Sequence, residues 1–142
     1  MNVTIAPLRL NLGSGTDWMG DRVVNIDRRN LVPPDGVRFL RANVADLSGM
    51  FEAGSCAEIW ARDTLESLSS VRLPSVIQGW ARLLRAGGIL HLRTRELFPL
   101  GQRPGDEVTI TFLRGLLMGC GLTVERIGRA PDGRISCEAR KA

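Results

Sequence analysis

The strongest constraint on the fold is the way short apolar runs alternate with a stretch of helical spacing. Residues 8–12 and 89–93 have the length and composition of buried strands. Residues 73–84 instead place their apolar side chains three and four positions apart, which puts them on one face of a helix. Strands that alternate with helices favour a mostly parallel sheet with helices packed against it, and therefore an α/β fold.

The remaining elements extend this alternation along the chain. Further strands are predicted at residues 23–26, 37–44, 57–61, 122–127 and 134–139. Gly87 and Gly88 are expected to end the first helix, and Asp106 is expected to cap a second helix that runs through Met118. Residues 131–133, Pro-Asp-Gly, form a turn that would join the last two strands as a hairpin. One strand of the sheet should therefore run antiparallel.

The length, hydrophobic content and cysteine positions limit the class of protein that this chain can be. The 142 residues, 44% of them hydrophobic, are expected to form one domain, residues 1–142, with a single core. No run of about 18 apolar residues is present, and residues 1–4 lack the features of a secretory signal, so a cytoplasmic protein without a membrane segment is expected. Cys56, Cys120 and Cys137 are far apart and His91 is the only histidine, which predicts neither a disulfide framework nor a metal site.

The net charge of +4 raises the question of an acidic partner. Lys141 is the only lysine among the 19 basic residues, and the arginines are scattered along the chain. Such a bias more often reflects a composition preference than recognition, so nucleic-acid binding is disfavoured. The oligomeric state is not indicated by any feature of the sequence.

Ligands in open parallel sheets bind beyond the carboxyl ends of the strands, so the residues that follow each strand are the candidate site. Residues 13–15, Gly-Ser-Gly, follow the first strand, and glycine allows the backbone to turn sharply and approach a ligand. Asp27 ends the second strand, where a carboxylate can accept both hydroxyl hydrogens of an adenosine ribose. Each feature has a plainer interpretation: a tight turn for the loop, and an ion pair with Arg28 or Arg29 for Asp27.

A dinucleotide is the less favoured ligand for this pair of features. The dinucleotide fingerprint needs a third glycine at G-x-G-x-x-G, where this chain has Trp18. Gly13 and Asp27 are 14 residues apart, fewer than the roughly 20 of that fingerprint, which leaves little room for a first helix. A nicotinamide-dependent oxidoreductase is therefore disfavoured.

Several blocks of the sequence resemble one family. Residues 10–15, L-N-L-G-S-G, with V-N-I-D at residues 24–27, are similar to the opening of small predicted class I S-adenosylmethionine-dependent methyltransferases. Residues 42–47, A-N-V-A-D-L, resemble the G-D-A-x-D-L stretch of that family, and residues 80–88 resemble its W-R-V-L-K-P-G-G segment. The resemblance spans residues 8–94 and implies a Rossmann-like methyltransferase fold with a shortened first helix.

The resemblance also implies S-adenosylmethionine as the cofactor, with Leu12 and the glycine loop at its site. It assigns Gly13, Ser14 and Gly15 to the methionine part, Asp27 to the ribose, Arg28 to a place beside the adenine, and Asn43 and Val44 to the adenine edge. The family usually has Asp where this chain has Asn43, whose amide can accept from the exocyclic amine and donate to a ring nitrogen. Asp46 has two interpretations: a further part of the cofactor site, or the cap of a short helix that starts near residues 47–48.

The chain departs from the family after the fourth strand, and this bears on catalysis. The family's H-x-L-E-H-L pattern is D-T-L-E-S-L at residues 63–68, so both histidines are replaced. Methyl transfer needs in-line positioning above all, worth effective molarities up to about 10⁵–10⁸ M. Where the acceptor carries a proton, it also needs a group that takes that proton.

The candidates for that role near strand ends are Asp63, Glu66, Glu96 and His91. Asp63 is preferred as the catalytic residue because it follows the fourth strand directly, with an ion pair to Arg62 as its alternative. His91 lies inside an apolar strand, which predicts a packed, neutral histidine.

The methyl acceptor is left open. No D/N-P-P-Y/F signature is present, which disfavours nucleobase amines as acceptors. Residues 94–105 either border an acceptor site or form a plain loop. The leading hypothesis is an S-adenosylmethionine-dependent methyltransferase whose acceptor is a small molecule or is presented by a larger partner. The alternative is a non-catalytic domain of the same fold that works through a protein partner.

Overall fold

The computed structural model describes residues 7–20, 22–47, 49–69, 71–95 and 108–142. The strands are β1 (Leu8–Leu12), β2 (Val23–Asp27), β3 (Arg38–Arg41), β4 (Cys56–Arg62), β5 (Leu84–Thr94), β6 (Leu122–Arg129) and β7 (Ile135–Lys141), and the helices are α1 (Leu73–Leu83) and α2 (Val108–Gly119). These strands form one sheet in the order β3-β2-β1-β4-β5-β7-β6. β7 runs antiparallel to both of its neighbours, and the other pairs are parallel. The predicted α/β fold, a mostly parallel sheet with a C-terminal antiparallel hairpin strand, is confirmed.

α1 and α2 cover one face of this sheet. The predicted apolar positions of α1, among them Val76, Ile77 and Trp80, are buried, and Pro74 lies in the first turn, where its missing N–H costs no hydrogen bond. Beneath the helices, alternate strand residues form the core, among them Leu10, Leu12, Ile59, Leu90 and Leu92. Burying each such side chain contributes roughly 1.5–3 kcal/mol, so this face supplies most of the hydrophobic stabilisation.

The opposite face of the sheet carries more polar side chains. The strand register places Asn11, Trp60, His91 and Glu138 side by side. Asn11 is buried beneath the loop that follows β1, and its Nδ2 donates to the backbone oxygen of Asp17 at 3.0 Å. Trp60 and His91 are half-buried, because neither α1 nor α2 packs on this face.

The first helix ends earlier than predicted. Gly87 and Gly88 were expected to stop it, but α1 ends at Leu83, and the fully buried Leu84 already pairs with Cys56 as the first residue of β5. The next register pair of these two strands involves Ile89, so residues 85–88 bulge out of the ladder. Gly87 has a φ of +79° within this bulge. The two glycines therefore serve the bulge, because burial of Leu84 draws the chain into the sheet before them.

Three connections also differ from the sequence expectations. β3 ends at Arg41, since Asn43 takes part in a turn that begins beyond it. The described residues 44–47 and 49–50 contain no part of the helix expected near residues 47–48, because they lie in turns or irregular backbone. A shortened first helix was expected between β1 and β2. The described residues of this connection, 13–20 and 22, contain no helix at all. Asp106 lies outside the described residues.

No helix in the described parts of the chain is long and apolar enough to cross a membrane. The cysteines are free thiols, and Cys56 and Cys137 are buried in the core. Burial raises the pKa of Cys137 to about 11. Within the described ranges, no group of three or more His, Cys, Asp or Glu side chains could hold a metal ion, and the absence of a metal stays a prediction.

Candidate cofactor site

A cavity of about 310 Å³ lies at the carboxyl edge of the sheet. Its walls are formed by residues that follow β1, β2, β3 and β4, namely Gly13, Asp27, Arg28, Arg29, Asn43, Val44, Asp63, Thr64, Ser67 and Leu68. Of the residues expected at a cofactor or catalytic site, six therefore meet in one cavity: Gly13, Asp27, Arg28, Asn43, Val44 and Asp63. The strand topology brings them together, because parallel strands end at a common edge.

The glycine loop is shaped by packing as well as by any ligand. Gly13 has a φ of +63°, and a Cβ on it would lie 2.5 Å from Oγ1 of Thr64. That hydroxyl donates to the backbone oxygen of Leu12 at 3.0 Å, so Thr64 is held against the loop. Gly15, with a φ of +51°, donates its backbone N–H to Oδ2 of Asp27 at 2.9 Å. Packing against Thr64 therefore explains the tight turn at Gly13. The same loop also forms a direct hydrogen bond to Asp27, the residue expected to bind the ribose.

Asp27 is buried, with 7% of its side chain exposed. Its Oδ1 accepts from the backbone N–H and the Nε of Arg29, at 2.9 and 3.1 Å. Burial alone would raise the pKa of Asp27, but the hydrogen bonds from the Arg29 side chain and from the backbones of Arg29 and Gly15 lower it to about 2. The carboxylate is ionised at neutral pH.

The guanidinium of Arg29 contacts both oxygens of Asp27, the atoms that were expected to accept the ribose hydroxyl hydrogens. The ion-pair interpretation of Asp27 is confirmed for Arg29 and wrong for Arg28, whose backbone oxygen instead accepts from Nε of Arg41. The Arg29 side chain is 62% exposed, so its guanidinium can exchange the carboxylate for water at small cost. The backbone donors from Gly15 and Arg29 would stay in place, and they would keep the carboxylate pointed into the cavity.

Asn43 and Val44 form the wall beyond β3. The Oδ1 of Asn43 accepts from the backbone N–H of Ala45 at 3.0 Å, and Nδ2 lies 3.5 Å from Oδ2 of Asp46. The amide oxygen is therefore engaged in a turn, and Nδ2 is the part of this side chain with more capacity left. The backbone oxygen of Val44 accepts from Nε1 of Trp80 at 2.9 Å, which anchors this wall to α1.

Four residues expected at the cofactor lie elsewhere. Leu12 points into the core, because β1 alternates its side chains and this position faces the helices. Ser14 is buried with its Oγ donating to the backbone oxygen of Gly15, and Gly15 reaches the cavity only through its N–H to Asp27. Asp46 faces Arg72 at 3.8 Å, outside the cavity, and caps no helix.

Asp63 follows β4 in a left-handed conformation, with a φ of +55°. The alternative to a catalytic role was an ion pair with Arg62, but Oδ2 accepts from Nη2 of Arg93 at 2.6 Å, and Oδ1 lies 3.2 Å from Nε of Arg134. The left-handed turn redirects the side chain from its sequence neighbour toward β5 and β7. Both oxygens face guanidinium groups, so the geometry favours an anchoring role over proton transfer.

The other proton-accepting candidates are engaged as well. Oε1 of Glu66 accepts from Oγ1 of Thr94 at 2.7 Å. His91 was expected to be packed among apolar neighbours, but it lies on the polar sheet face, with Nε2 2.7 Å from Oε2 of Glu58 and its ring stacked on Trp60 at 4.9 Å. Strand alternation, which places residues 90 and 92 in the core, turns His91 to the other side. Glu96 lies outside the described residues.

Several wall residues were not predicted as site residues. Thr64 and Leu68 belong to the segment after β4, and the expectation that ligands bind just beyond strand ends would have found Thr64. Ser67 occupies a position where the resembling family has histidine, and its Oγ donates to the backbone oxygen of Thr64 at 2.8 Å. Arg29, which the sequence indicated only as a possible ion-pair partner of Asp27, also lines the cavity.

No protein-family model and no curated protein matches this sequence. Solved structures do match its fold. An S-adenosylmethionine-dependent methyltransferase of Methanosarcina mazei is 18% identical, with 98% of this chain and 94% of that chain covered and a TM-score of 0.68. The 1,6-didemethyltoxoflavin-N1-methyltransferase of Burkholderia thailandensis, solved with 1,6-didemethyltoxoflavin and S-adenosylhomocysteine, is 21% identical, with 96% and 72% covered and a TM-score of 0.73.

The [4+2]-cyclase SpnF also matches, at 14% identity and a TM-score of 0.71, with 95% of this chain and 74% of that chain covered. The chain therefore has the class I methyltransferase fold, as the sequence resemblance implied. At these identities the likeness concerns the fold alone. Because a protein named for a different reaction shares it, the reaction must be argued from the site.

Proposed function

We propose that this protein binds S-adenosylmethionine in the cavity at the carboxyl edge of the sheet and transfers its methyl group to an acceptor. The observation that carries the proposal is Asp27, a buried and ionised carboxylate at the end of β2 that the glycine loop holds through the N–H of Gly15. A buried carboxylate with fixed orientation is suited to accept two ribose hydroxyl hydrogens.

The residues present fit this cofactor. Gly13 keeps the floor of the cavity free of a Cβ where β1 ends, while Arg28, Asn43 and Val44 form the wall on the β3 side of Asp27. That wall would hold the adenine, with Nδ2 of Asn43 as a donor to a ring nitrogen. The bound cofactor would supply a methyl group on a sulfonium, which leaves readily to a nucleophile in line with the C–S bond.

What the chain contributes is orientation. Asp27 would fix the ribose, and the loop at Gly13 would direct the methionine part toward β4, where Thr64 and Ser67 line the cavity. Both hydroxyls are tied to backbone oxygens, so this wall is rigid. Holding two reactants in line is the largest contribution that such a site can make to methyl transfer.

Isothermal titration of S-adenosylmethionine and S-adenosylhomocysteine into the purified chain tests the proposal. We expect saturable binding that Asp27→Asn weakens about 10- to 100-fold, because the negative charge and one of the two acceptor oxygens are lost. Asp35→Asn, an exposed aspartate in a turn outside the cavity, is the matched control and should leave affinity unchanged. Absence of binding by the wild-type chain at millimolar cofactor would refute the proposal.

A second candidate is a domain that binds the cofactor without catalysis and works through a protein partner. The engagement of Asp63 by Arg93 and Arg134, and of Glu66 by Thr94, favours it. Incubation with methyl-labelled cofactor and a cell extract separates the two candidates. A methyltransferase moves label to an acceptor, whereas a binding domain binds the cofactor and retains a partner in a pull-down without any transfer.

A further inference from the structure

Three arginines gather beside Asp63 at the carboxyl edge of the sheet. Arg62 and Arg93 end neighbouring strands as direct register partners, so both side chains leave the sheet on the same face. Arg134 directly precedes β7, and its side chain also reaches Asp63. We infer that Arg62, Arg93 and Arg134, here named the arginine cluster, bind a carboxylate group of the methyl acceptor. This inference rests on the proposed function and specifies its substrate class.

The charges in the cluster are not balanced. Asp63 faces Arg93 at 2.6 Å and Arg134 at 3.2 Å, and Asp132 faces Nη1 of Arg134 at 3.1 Å with 53% of its side chain exposed. For Arg62, the contact within the described part of the chain is the backbone oxygen of Asp17, 3.4 Å from Nη2. Three guanidinium groups are thus near only two carboxylates, Asp63 and Asp132, and the carboxylate of Asp132 is largely exposed to solvent. An additional anion would complete the set.

Unused donors point to where that anion would bind. The Nε atoms of Arg62 and Arg93 are buried and form no hydrogen bond with any described residue, whereas Nε of Arg134 faces the buried Oδ1 of Asp63 at 3.2 Å. A buried N–H without an acceptor is unfavourable, and most such groups in folded proteins find a partner. A ligand oxygen between the guanidinium planes would satisfy these donors.

The arrangement already holds one carboxylate. Asp63 bridges Arg93 and Arg134 with one oxygen toward each, which is the geometry that guanidinium groups adopt with carboxylates. Arg62 stands beside this pair on the neighbouring strand, with its planar fork largely uncommitted. A second carboxylate could share these donors in the same manner.

The position of the cluster matches the path of the reaction. Asp63 lines the same cavity as Asp27, and Arg93 and Arg134, which hold Asp63, lie behind that wall rather than in it. The strand order β2-β1-β4-β5 puts the cluster on the far side of β1 from the ribose end. A cofactor with its ribose at Asp27 and its methionine part at Gly13 would present its methyl group toward β4. An acceptor held by its carboxylate at the cluster would therefore lie beside the transferable methyl group.

The test is a titration of the whole chain, saturated with S-adenosylhomocysteine, with three matched probes: benzoate, phenyl phosphate and the neutral benzamide. The readout is the set of arginine Nε–Hε resonances, assigned through Arg62→Gln and Arg93→Gln. We expect benzoate to shift the Arg62 and Arg93 resonances saturably, while benzamide does not. Arg62→Gln should weaken benzoate at least about tenfold, because a charged hydrogen-bond donor is lost.

Arg140→Gln is the control variant. Arg140 is also an ion-paired arginine of the sheet, in β7 and bound to Glu125 at 2.8 Å, but it pairs with Ile89 near the start of β5, away from the carboxyl edge. Its replacement should change benzoate affinity less than about twofold. Thermal unfolding of each variant establishes that it is folded.

Three results would overturn the inference. These are equal shifts with benzamide, benzoate shifts that Arg62→Gln leaves unchanged, and phenyl phosphate that binds more tightly than benzoate, which would assign the site to phosphate. Titration of S-adenosylhomocysteine in the same samples separates the two proposals. If the cofactor binds and benzoate does not, only the acceptor class is wrong. If benzoate binds and the cofactor does not, the proposed function fails, and with it the role of the anion as a methyl acceptor.

Discussion

Two aspartates at the same edge of the sheet have arginine partners, yet they differ in how they are held. Asp27, after β2, is buried and receives backbone N–H groups from Gly15 and Arg29, and its arginine is 62% exposed. Asp63, after β4, has 28% of its side chain exposed and faces Arg93 and Arg134, whose side chains are about one third exposed.

This difference indicates which of the two aspartates can replace its arginine partner with a ligand. Backbone donors fix Asp27 whatever its arginine does, so an exposed guanidinium can leave and a ligand hydroxyl can replace it. Asp63 depends on the side chains of Arg93 in β5 and Arg134 just before β7, and moving them would disturb the sheet edge itself. One carboxylate is therefore poised to bind and the other to anchor.

The two regions meet where Gly13 touches Thr64, and this contact gives the largest expected effect. Gly13→Ala should destabilise the protein by about 2–4 kcal/mol, through a positive φ and a Cβ placed 2.5 Å from Oγ1 of Thr64. Denaturant unfolding measures the loss. The double variant Gly13→Ala with Thr64→Ala should recover about 1 kcal/mol relative to the sum of the single changes. Strict additivity would show that the contact is not the cause.

Removal of each acid tests the contrast directly. Asp27→Ala leaves the partly buried N–H groups of Gly15 and Arg29 without their acceptor and should cost about 2–3 kcal/mol. Asp63→Ala removes two partly exposed ion pairs, with Arg93 and Arg134, and should cost about 1 kcal/mol. Paired urea titrations measure both values. A larger loss for Asp63 would reverse the comparison.

The pH dependence of stability should follow Asp27. Its pKa is lowered from 3.8 to about 2 in the folded protein, so its stabilising contribution is complete above about pH 4 and is lost as the pH falls toward 2. Thermal unfolding of the wild type and Asp27→Asn across this range shows the effect as a difference in slope. Parallel curves would mean that Asp27 is not held as its contacts indicate.

The smallest effect concerns Arg29. Because its guanidinium competes with the ribose for Asp27, Arg29→Ala should tighten cofactor binding by up to about fivefold, less at high salt. Arg93→Ala, at the anchoring acid, should leave cofactor affinity within about twofold. Calorimetric titration compares the two, and weaker binding by Arg29→Ala would make Arg29 a ligand of the cofactor.

Sequence patterns predicted elements well where local spacing is decisive. The periodicity of α1 marked its buried face, and β1, β2 and the hairpin around residues 131–133 lie where apolar alternation and turn residues placed them. Boundaries were predicted less well. The end of α1 depends on the burial of Leu84 against its neighbour in the sheet, and a glycine pair looks the same in a helix cap as in a strand bulge.

The candidate site divides in the same way. The rule that ligands bind beyond strand ends predicted Gly13, Asp27 and Asp63 at one edge of the sheet, and the family resemblance added Asn43, which the sequence pattern had placed inside the third strand. The chain by itself therefore determined the fold class, the loop and the choice of an adenosine ligand over a dinucleotide as the better hypothesis. Only the tertiary structure decided the partners: Arg29 rather than Arg28 for Asp27, and Arg93 with Arg134 rather than Arg62 for Asp63. The left-handed conformation of Asp63 and the register of β4 with β5 determine these contacts. The local sequence does not predict either, because both depend on how distant parts of the chain pair in the sheet.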